Sequence, residues 1–122
     1  MNEPTLRQFP IKIRDVSVNS PYFHRAELLL VGDCAAYAHP GFHAAFTGGR
    51  VLLIGCPKHD FRLGEQLEDI LRNNEVLSVS LVKTDADCCR EMWSIVANAV
   101  RQSSKDIPVN YTNIILDAEI IE

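Results

Sequence analysis

Several features that mark common classes of protein are scarce or absent in this sequence. The 122 residues carry 12 Lys and Arg against 16 Asp and Glu, a formal net charge of −4. Nucleic-acid backbones and anionic membrane surfaces attract basic protein faces, so this balance argues against both as partners. The apolar runs, such as residues 51–54, are far too short to span a bilayer. The first residues lack the basic and apolar segments of a secretory signal, and we therefore predict a cytoplasmic protein.

Familiar cofactor motifs are also missing. The glycines show neither GxGxxG nor P-loop spacing, so no nucleotide is predicted. The four cysteines include no CxxC pair, the usual mark of zinc ribbons and ferredoxins. Two of them are sequence neighbours, and a disulfide between neighbours is strained, so two structural bridges are not expected. Reduced cysteines of this kind bind metal, carry out catalysis or simply pack as small apolar side chains.

The composition that remains is that of one globular domain. Apolar residues make up 47% of the sequence and charged residues 23%, close to the globular average. No linker, repeat or low-complexity tract divides the chain, so residues 1–122 are predicted to form a single α/β domain.

Apolar runs alternate with helical patterns, which is typical of a parallel sheet connected by helices. We therefore expect a single three-layer α/β sandwich with a mostly parallel, Rossmann-like, doubly wound sheet and right-handed crossovers. The predicted strands are residues 11–18, 26–31, 51–54, 76–82 and 111–116, and the predicted helices are residues 39–46, 61–72 and 88–102. The first of these strands alternates apolar and polar residues, as an edge strand does. Two subunits could pair along such an edge, which leaves a homo-oligomer open.

The cysteines all follow predicted strands. Cys34 follows the second strand and Cys56 follows the third, while Cys88 and Cys89 follow the fourth and open the next helix. The carboxyl ends of parallel strands lie at one edge of the sheet, where sites assemble, so these loops are expected to meet. A helix amino terminus also stabilises the thiolate form of cysteine. Three thiolates and one imidazole would complete the tetrahedral shell of a metal ion.

Histidines and charged residues accompany these cysteines. His39, His43 and His59 all lie near the same predicted edge. Asp33, Lys58, Asp60 and His59 are candidates for a supporting role, as hydrogen-bond partners of the ligands or as anion contacts. The plainer alternatives are turn capping for the aspartates and ordinary solvation for the lysine. Gly55 precedes Cys56 and would let the backbone approach closely at the strand end.

Longer stretches resemble a known family. The segments LRQFPI (residues 6–11), LLIGCPK (52–58) and KDIPV (105–109) are similar to its LRQWP, LLIGCPK and GKDIPV motifs, and AELL, DC, FH and CC occur in the family's order. The chain thus resembles the carboxyl-terminal α/β domain of anaerobe iron–sulfur proteins in which this domain is fused to a 4Fe–4S ferredoxin. The resemblance implies a zinc, iron or iron–sulfur site, with the matching residues Cys34, His43, Cys56, Cys88 and Cys89. No CxxCxxC run precedes Leu6, so a ferredoxin or iron–sulfur partner is expected to act in trans.

Three hypotheses for function follow. The first is a metal-binding domain of an iron–sulfur electron-transfer system. The second is a thiol-based oxidoreductase that uses Cys88 and Cys89 at a helix amino terminus. The third is a non-catalytic module that docks on a ferredoxin-type partner and whose cysteines only pack.

Overall fold

A computed structural model describes residues 10–39, 41–86 and 90–114, apart from the side chain of His43. The elements are β1 (Glu27–Gly32), α1 (Asp33–Ala38), β2 (Val51–Gly55), α2 (Leu63–Asn73), β3 (Ser78–Thr84), α3 (Met92–Gln102) and β4 (Val109–Ile114), together with a 3-10 turn at Pro21–Phe23 and a π-helical turn at His43–Thr47.

The four strands form one parallel sheet in the order β2-β1-β3-β4. Strand β1 lies at its centre and is buried over five of its six residues, which explains its continuous apolar sequence. At its carboxyl end, Gly32 is opposite Gly55 of β2 and Val31 is opposite Val82 of β3. The predicted Rossmann-like α/β sandwich is therefore confirmed.

The two faces of the sheet bury different helices. On one face, Leu28 and Leu30 belong to a core with α2 and α3. Helix α2 presents an apolar stripe to this core, formed by the fully buried Leu63, Leu67, Ile70 and Leu71. On the other face, Leu29 and Val31 pack with Ala35 of α1 and with Phe42. Each fully buried Leu contributes about 2 kcal/mol of apolar burial. Because alternate residues of β1 face opposite sides of the sheet, this strand stabilises the packing of helices on both faces.

The predicted first strand over residues 11–18 is wrong. Only one bridge forms, in which the Ile13 amide donates to the Ile54 carbonyl (2.9 Å) and the Ile54 amide donates to the Ile11 carbonyl (2.8 Å). A turn follows at once, because the Asp15 amide donates to the Lys12 carbonyl at 2.9 Å. The alternating pattern has another cause: Ile13 is fully buried beside β2 while its charged neighbours point away from the core.

Most other elements lie within a few residues of their predicted bounds, and one helix is displaced. The chain forms α1 directly after β1, at Asp33–Ala38, whereas the helix was predicted over residues 39–46. Among the described residues of that range, His39 is extended, with φ of −90° and ψ of 116°, and the π-helical turn begins at His43. Within the described part of the chain, no helix is both long enough and apolar enough to cross a membrane.

Candidate functional site

The carboxyl ends of β2, β1 and β3 lie next to one another at one edge of the sheet. Neighbouring strands are roughly 5 Å apart, so the loops that leave these three strands start within about 10 Å of each other. Cys34 follows β1 and Cys56 follows β2. Cys88 and Cys89 come after β3 in sequence, and both lie outside the described residues, as does Asp87.

The chain also changes direction at this edge. Strand β1 connects to β2 on one side through α1, whereas β2 connects through α2 to β3, on the other side of β1. The carboxyl ends of β1 and β3 therefore flank the point where the strand order reverses, and open α/β sheets place their ligand crevice at such a point. The first residues after these two strands are Asp33, which begins α1, and Asp85.

Cys34 is the second residue of α1, and its side chain is exposed. The preceding residue, Asp33, accepts a 2.8 Å hydrogen bond at Oδ2 from Nζ of Lys12. Both side chains of this ion pair are about one-quarter exposed, at 28% and 27%. The other oxygen, Oδ1, is buried and has no hydrogen-bond partner among the described residues. The ammonium group of Lys12 thus lies at the start of α1, the helix that contains Cys34.

Cys56 is buried at the end of β2. Its amide donates a 2.7 Å hydrogen bond to Oδ2 of Asp60. Its carbonyl accepts hydrogen bonds from the amides of His59 (3.0 Å) and Asp60 (2.7 Å). Asp60 has no exposed side-chain surface, and its Oδ1 lies 3.6 Å from Nε of Arg14. The loop that holds Cys56 is therefore tightly fixed, and Asp60 caps it.

Gly55 makes this arrangement possible. A Cβ atom at residue 55 would lie 2.9 Å from Cγ2 of Ile13 and 2.9 Å from Cδ1 of Leu63, and 3.3 Å from Oδ2 of Asp60. Such distances are too short for ordinary packing. The predicted close backbone approach at this strand end is confirmed.

The remaining predicted residues behave differently. The side chains of Lys58 and His59 are exposed and make no hydrogen bond or ion pair with other described residues. His39 has a local role, because its Nδ1 accepts a 3.1 Å hydrogen bond from the Gly41 amide and its ring packs edge-on against Phe46. The backbone of His43 opens the π-helical turn, but its side chain lies outside the description.

No three His, Cys, Asp or Glu side chains within residues 10–39, 41–86 and 90–114 lie close enough to hold a metal ion. Of the five predicted ligands, only Cys34 and Cys56 have side chains in the described part of the chain. The full set, with His43, Cys88 and Cys89, stays a prediction.

The sequence analysis does not identify two residues that lie at this site. Lys12 pairs with Asp33 and Arg14 pairs with Asp60, so one short segment supplies a cation beside each described cysteine loop. The alternation of Lys12 and Arg14 with apolar residues is visible in the sequence, but this pattern is also typical of an edge strand. Arg14 also lines a cleft of about 240 Å³ beside the Cys56 loop, together with His59 and Asp60.

The sequence matches the model of the Rossmann-like domain family over residues 20–122, and the chain belongs to that family. No curated protein matches it. No solved structure matches it either.

Proposed function

We propose that this chain is a metal-binding α/β domain related to iron–sulfur electron-transfer proteins, with a Cys/His site at the carboxyl edge of its sheet. The observation that carries the proposal is topological. Cys34 and Cys56 follow two neighbouring parallel strands, and the loop that contains Cys88 and Cys89 in the sequence follows the strand on the other side of β1.

The donor set suits soft or borderline metals. Thiolates and imidazoles are the usual ligands of zinc and iron, and thiolates hold iron–sulfur clusters. Cys34 and Cys56 would supply two thiolates, Cys88 or Cys89 a third, and His43 an imidazole. A bound metal would supply Lewis-acid chemistry, and a bound iron–sulfur cluster would supply one-electron transfer.

The charged residues beside the cysteines support the same proposal. Several thiolates around one ion concentrate negative charge, and nearby cations and hydrogen-bond donors reduce its cost. Lys12 and Arg14 pair with the aspartates that accompany Cys34 and Cys56, so these two carboxylates add little net negative charge beside the thiolates. In an electron-transfer role, the redox partner would be a ferredoxin or another iron–sulfur protein acting in trans, as the family resemblance implies.

The test is to purify the untagged protein without oxygen, and to measure its metal content by elemental analysis and its absorption spectrum on the same sample. We expect near-stoichiometric zinc or iron. Cys34→Ser, Cys56→Ser and His43→Ala should each weaken metal affinity by at least about tenfold, so that less metal stays bound through purification. The matched control is His24→Ala, because His24 is exposed at the opposite, amino-terminal edge of the sheet and should leave the metal content unchanged.

A colourless protein that is folded and free of metal would contradict the proposal and favour thiol chemistry or a docking role. A ligand variant that retains full metal content while folded would remove that residue from the set. A brown sample would identify an iron–sulfur cluster in particular.

A further inference from the structure

A ridge separates two clefts next to the carboxyl end of β2. The ridge is the loop over residues 57–62, and its residues Asp60 and Phe61 line both clefts. The basic cleft is the one of about 240 Å³ that Arg14 and His59 line. The acidic cleft, of about 380 Å³, lies between α2 and α3, and Glu91 is part of its lining.

Phe61 projects from the top of this ridge. The residue is 90% exposed, so its ring stands at the rim and fills neither cleft. The loop below it is fixed, because the Cys56 carbonyl accepts hydrogen bonds from the amides of His59 (3.0 Å) and Asp60 (2.7 Å). The Asp60 carbonyl in turn accepts one from the Leu63 amide at 3.0 Å. A ring held on a fixed loop loses little conformational freedom on binding, and rings of this kind anchor protein interfaces.

The acidic cleft is suited to receive such a ring. Pro57 and Ile95 supply apolar walls on opposite sides of it. Gly64 adds no side chain there, and a Cβ atom at this residue would lie 3.3 Å from Cγ2 of Ile95, so α2 and α3 are in contact beside the cleft. A cleft of this size holds a small molecule, and it therefore has room for one aromatic side chain.

The two flanks of the ridge differ in charge. Basic side chains line the cleft on one flank, namely Arg14, His59 and Arg62. The pair between Arg62 and Glu65 is 70% exposed on both sides and is therefore weak. Lys58 of the same loop is exposed and forms no ion pair among the described residues. On the other flank, Glu91 at the start of α3 is also exposed and unpaired within the described ranges.

These features complement one another when two copies of the surface face each other. A two-fold axis between the ridge and the acidic cleft places each ridge in the acidic cleft of the other copy. The same rotation brings each basic flank beside Glu91 of the partner subunit. One surface thus supplies the ring, the recess for it and unpaired charges of both signs, which is what an isologous interface requires.

We propose that the chain forms a two-fold dimer in which Phe61 of each subunit lies in the acidic cleft of the other. This contact is distinct from pairing along residues 11–18, and it does not depend on the metal site.

The test is sedimentation velocity of the full-length chain over a concentration series, with and without EDTA. We expect a monomer–dimer equilibrium that EDTA leaves unchanged. Phe61→Ala should raise the dissociation constant at least about tenfold, because the dimer loses two buried rings. Tyr37→Ala is the matched control, because it removes a ring that is 93% exposed on α1, on the opposite face of the sheet, and should have no effect.

A charge exchange tests the orientation of the two copies. Glu91→Lys should raise the dissociation constant about fivefold, and added salt should weaken the wild-type dimer. Combining Glu91→Lys with Arg62→Glu should recover the affinity, because opposite charges face each other again. The charge-matched control is Glu27→Lys, since Glu27 is exposed at the start of β1, away from the ridge, and should leave the dimer unchanged.

Several results would overturn the proposal. One is a chain that stays monomeric up to about 1 mM, where even weak specific contacts are populated. A dimer that persists unchanged in Phe61→Ala, or that EDTA dissociates, would place the contact elsewhere. Open assemblies larger than a dimer would also contradict it, because a two-fold contact closes at two copies. Failure of the double charge variant to recover affinity, in protein that circular dichroism shows to be folded, would exclude the proposed orientation.

Discussion

The amide of Cys56 donates a 2.7 Å hydrogen bond to Oδ2 of Asp60, and the amide of Asp60 donates one of the same length back to the Cys56 carbonyl. The two residues close a short turn at the carboxyl end of β2. Since the Asp60 side chain is fully buried, water cannot replace its carboxylate. The position of a predicted ligand therefore depends on a residue four places further along the chain.

We expect Asp60→Ala to lower the free energy of unfolding by about 2 kcal/mol, because it leaves the buried Cys56 amide without an acceptor. Asp60→Asn keeps an acceptor oxygen and should cost less. Urea denaturation of both variants measures the difference. If both substitutions cost the same, the ion pair with Arg14 would matter more than the hydrogen bond.

Gly55→Ala should destabilise the protein by about 1–3 kcal/mol, because the added methyl group would overlap with Ile13 and Leu63. Gly48→Ala is the matched control: Gly48 has an ordinary φ of −59° and no neighbour within 4 Å of its Cβ position. That substitution should change stability by less than about 0.5 kcal/mol. Thermal unfolding of the two variants tests this, and equal losses would contradict the close packing at Gly55.

The sequence allowed the buried strands to be predicted because their burial leaves a direct pattern. Residues 28–31 are apolar without interruption, as a strand covered on both faces must be, and α2 repeats its apolar residues at helical spacing. The sequence also allowed the edge with the cysteine loops to be predicted, because loops that leave parallel strands at their carboxyl ends lie at one edge of the sheet. The match of residues 20–122 to the Rossmann-like family supports the same topology.

The errors arose where tertiary contacts decide the structure. Alternation over residues 11–18 fits a strand, but only the backbone around Ile13 pairs with β2 before the chain turns. Likewise, no local signal showed that Lys12 would reach Asp33, which is 21 residues away in sequence. Long-range ion pairs of this kind depend on how the elements pack and cannot be obtained from periodicity.

The two described cysteines should differ in reactivity. In metal-free protein, Cys34 should react readily with iodoacetamide because it is exposed, whereas Cys56 should react only when the protein unfolds. Peptide mapping by mass spectrometry after timed labelling distinguishes the two sites. Added zinc or iron should protect Cys34 if it is a ligand, and unchanged labelling of Cys34 in metal-loaded protein would exclude it from the metal site.

The Lys12–Asp33 pair should contribute a modest coupling energy, since both side chains are about one-quarter exposed, at 27% and 28%. We expect about 1 kcal/mol after allowing for solvent screening. A double-mutant cycle of Lys12→Met and Asp33→Asn, analysed by urea denaturation, isolates that energy. The coupling should decrease as salt is added. A value near zero at low salt would show that the pair does not anchor the amino-terminal segment.

Trp93 of α3 stacks on Tyr111 of β4, with ring centroids 3.9 Å apart and an angle of 23° between the rings. Burial raises the pKa of the Tyr111 phenol above its usual 10.0. The folded protein therefore holds this proton more tightly than the unfolded chain, and the stability that Tyr111 contributes is lost as the pH rises above about 10.

Trp93→Ala should lower the pKa of Tyr111 towards its usual value, because it uncovers the phenol ring. It should also reduce stability at neutral pH by about 1 kcal/mol through the loss of stacking. The tyrosinate absorbance of each protein, after subtraction of the same protein with Tyr111→Phe, reports the titration of this one residue. Trp93→Phe keeps an aromatic ring over Tyr111 and should retain part of the shift. If the Tyr111 titration is the same with Trp and Ala at residue 93, the burial must come from β4 and its neighbours rather than from the stacked ring.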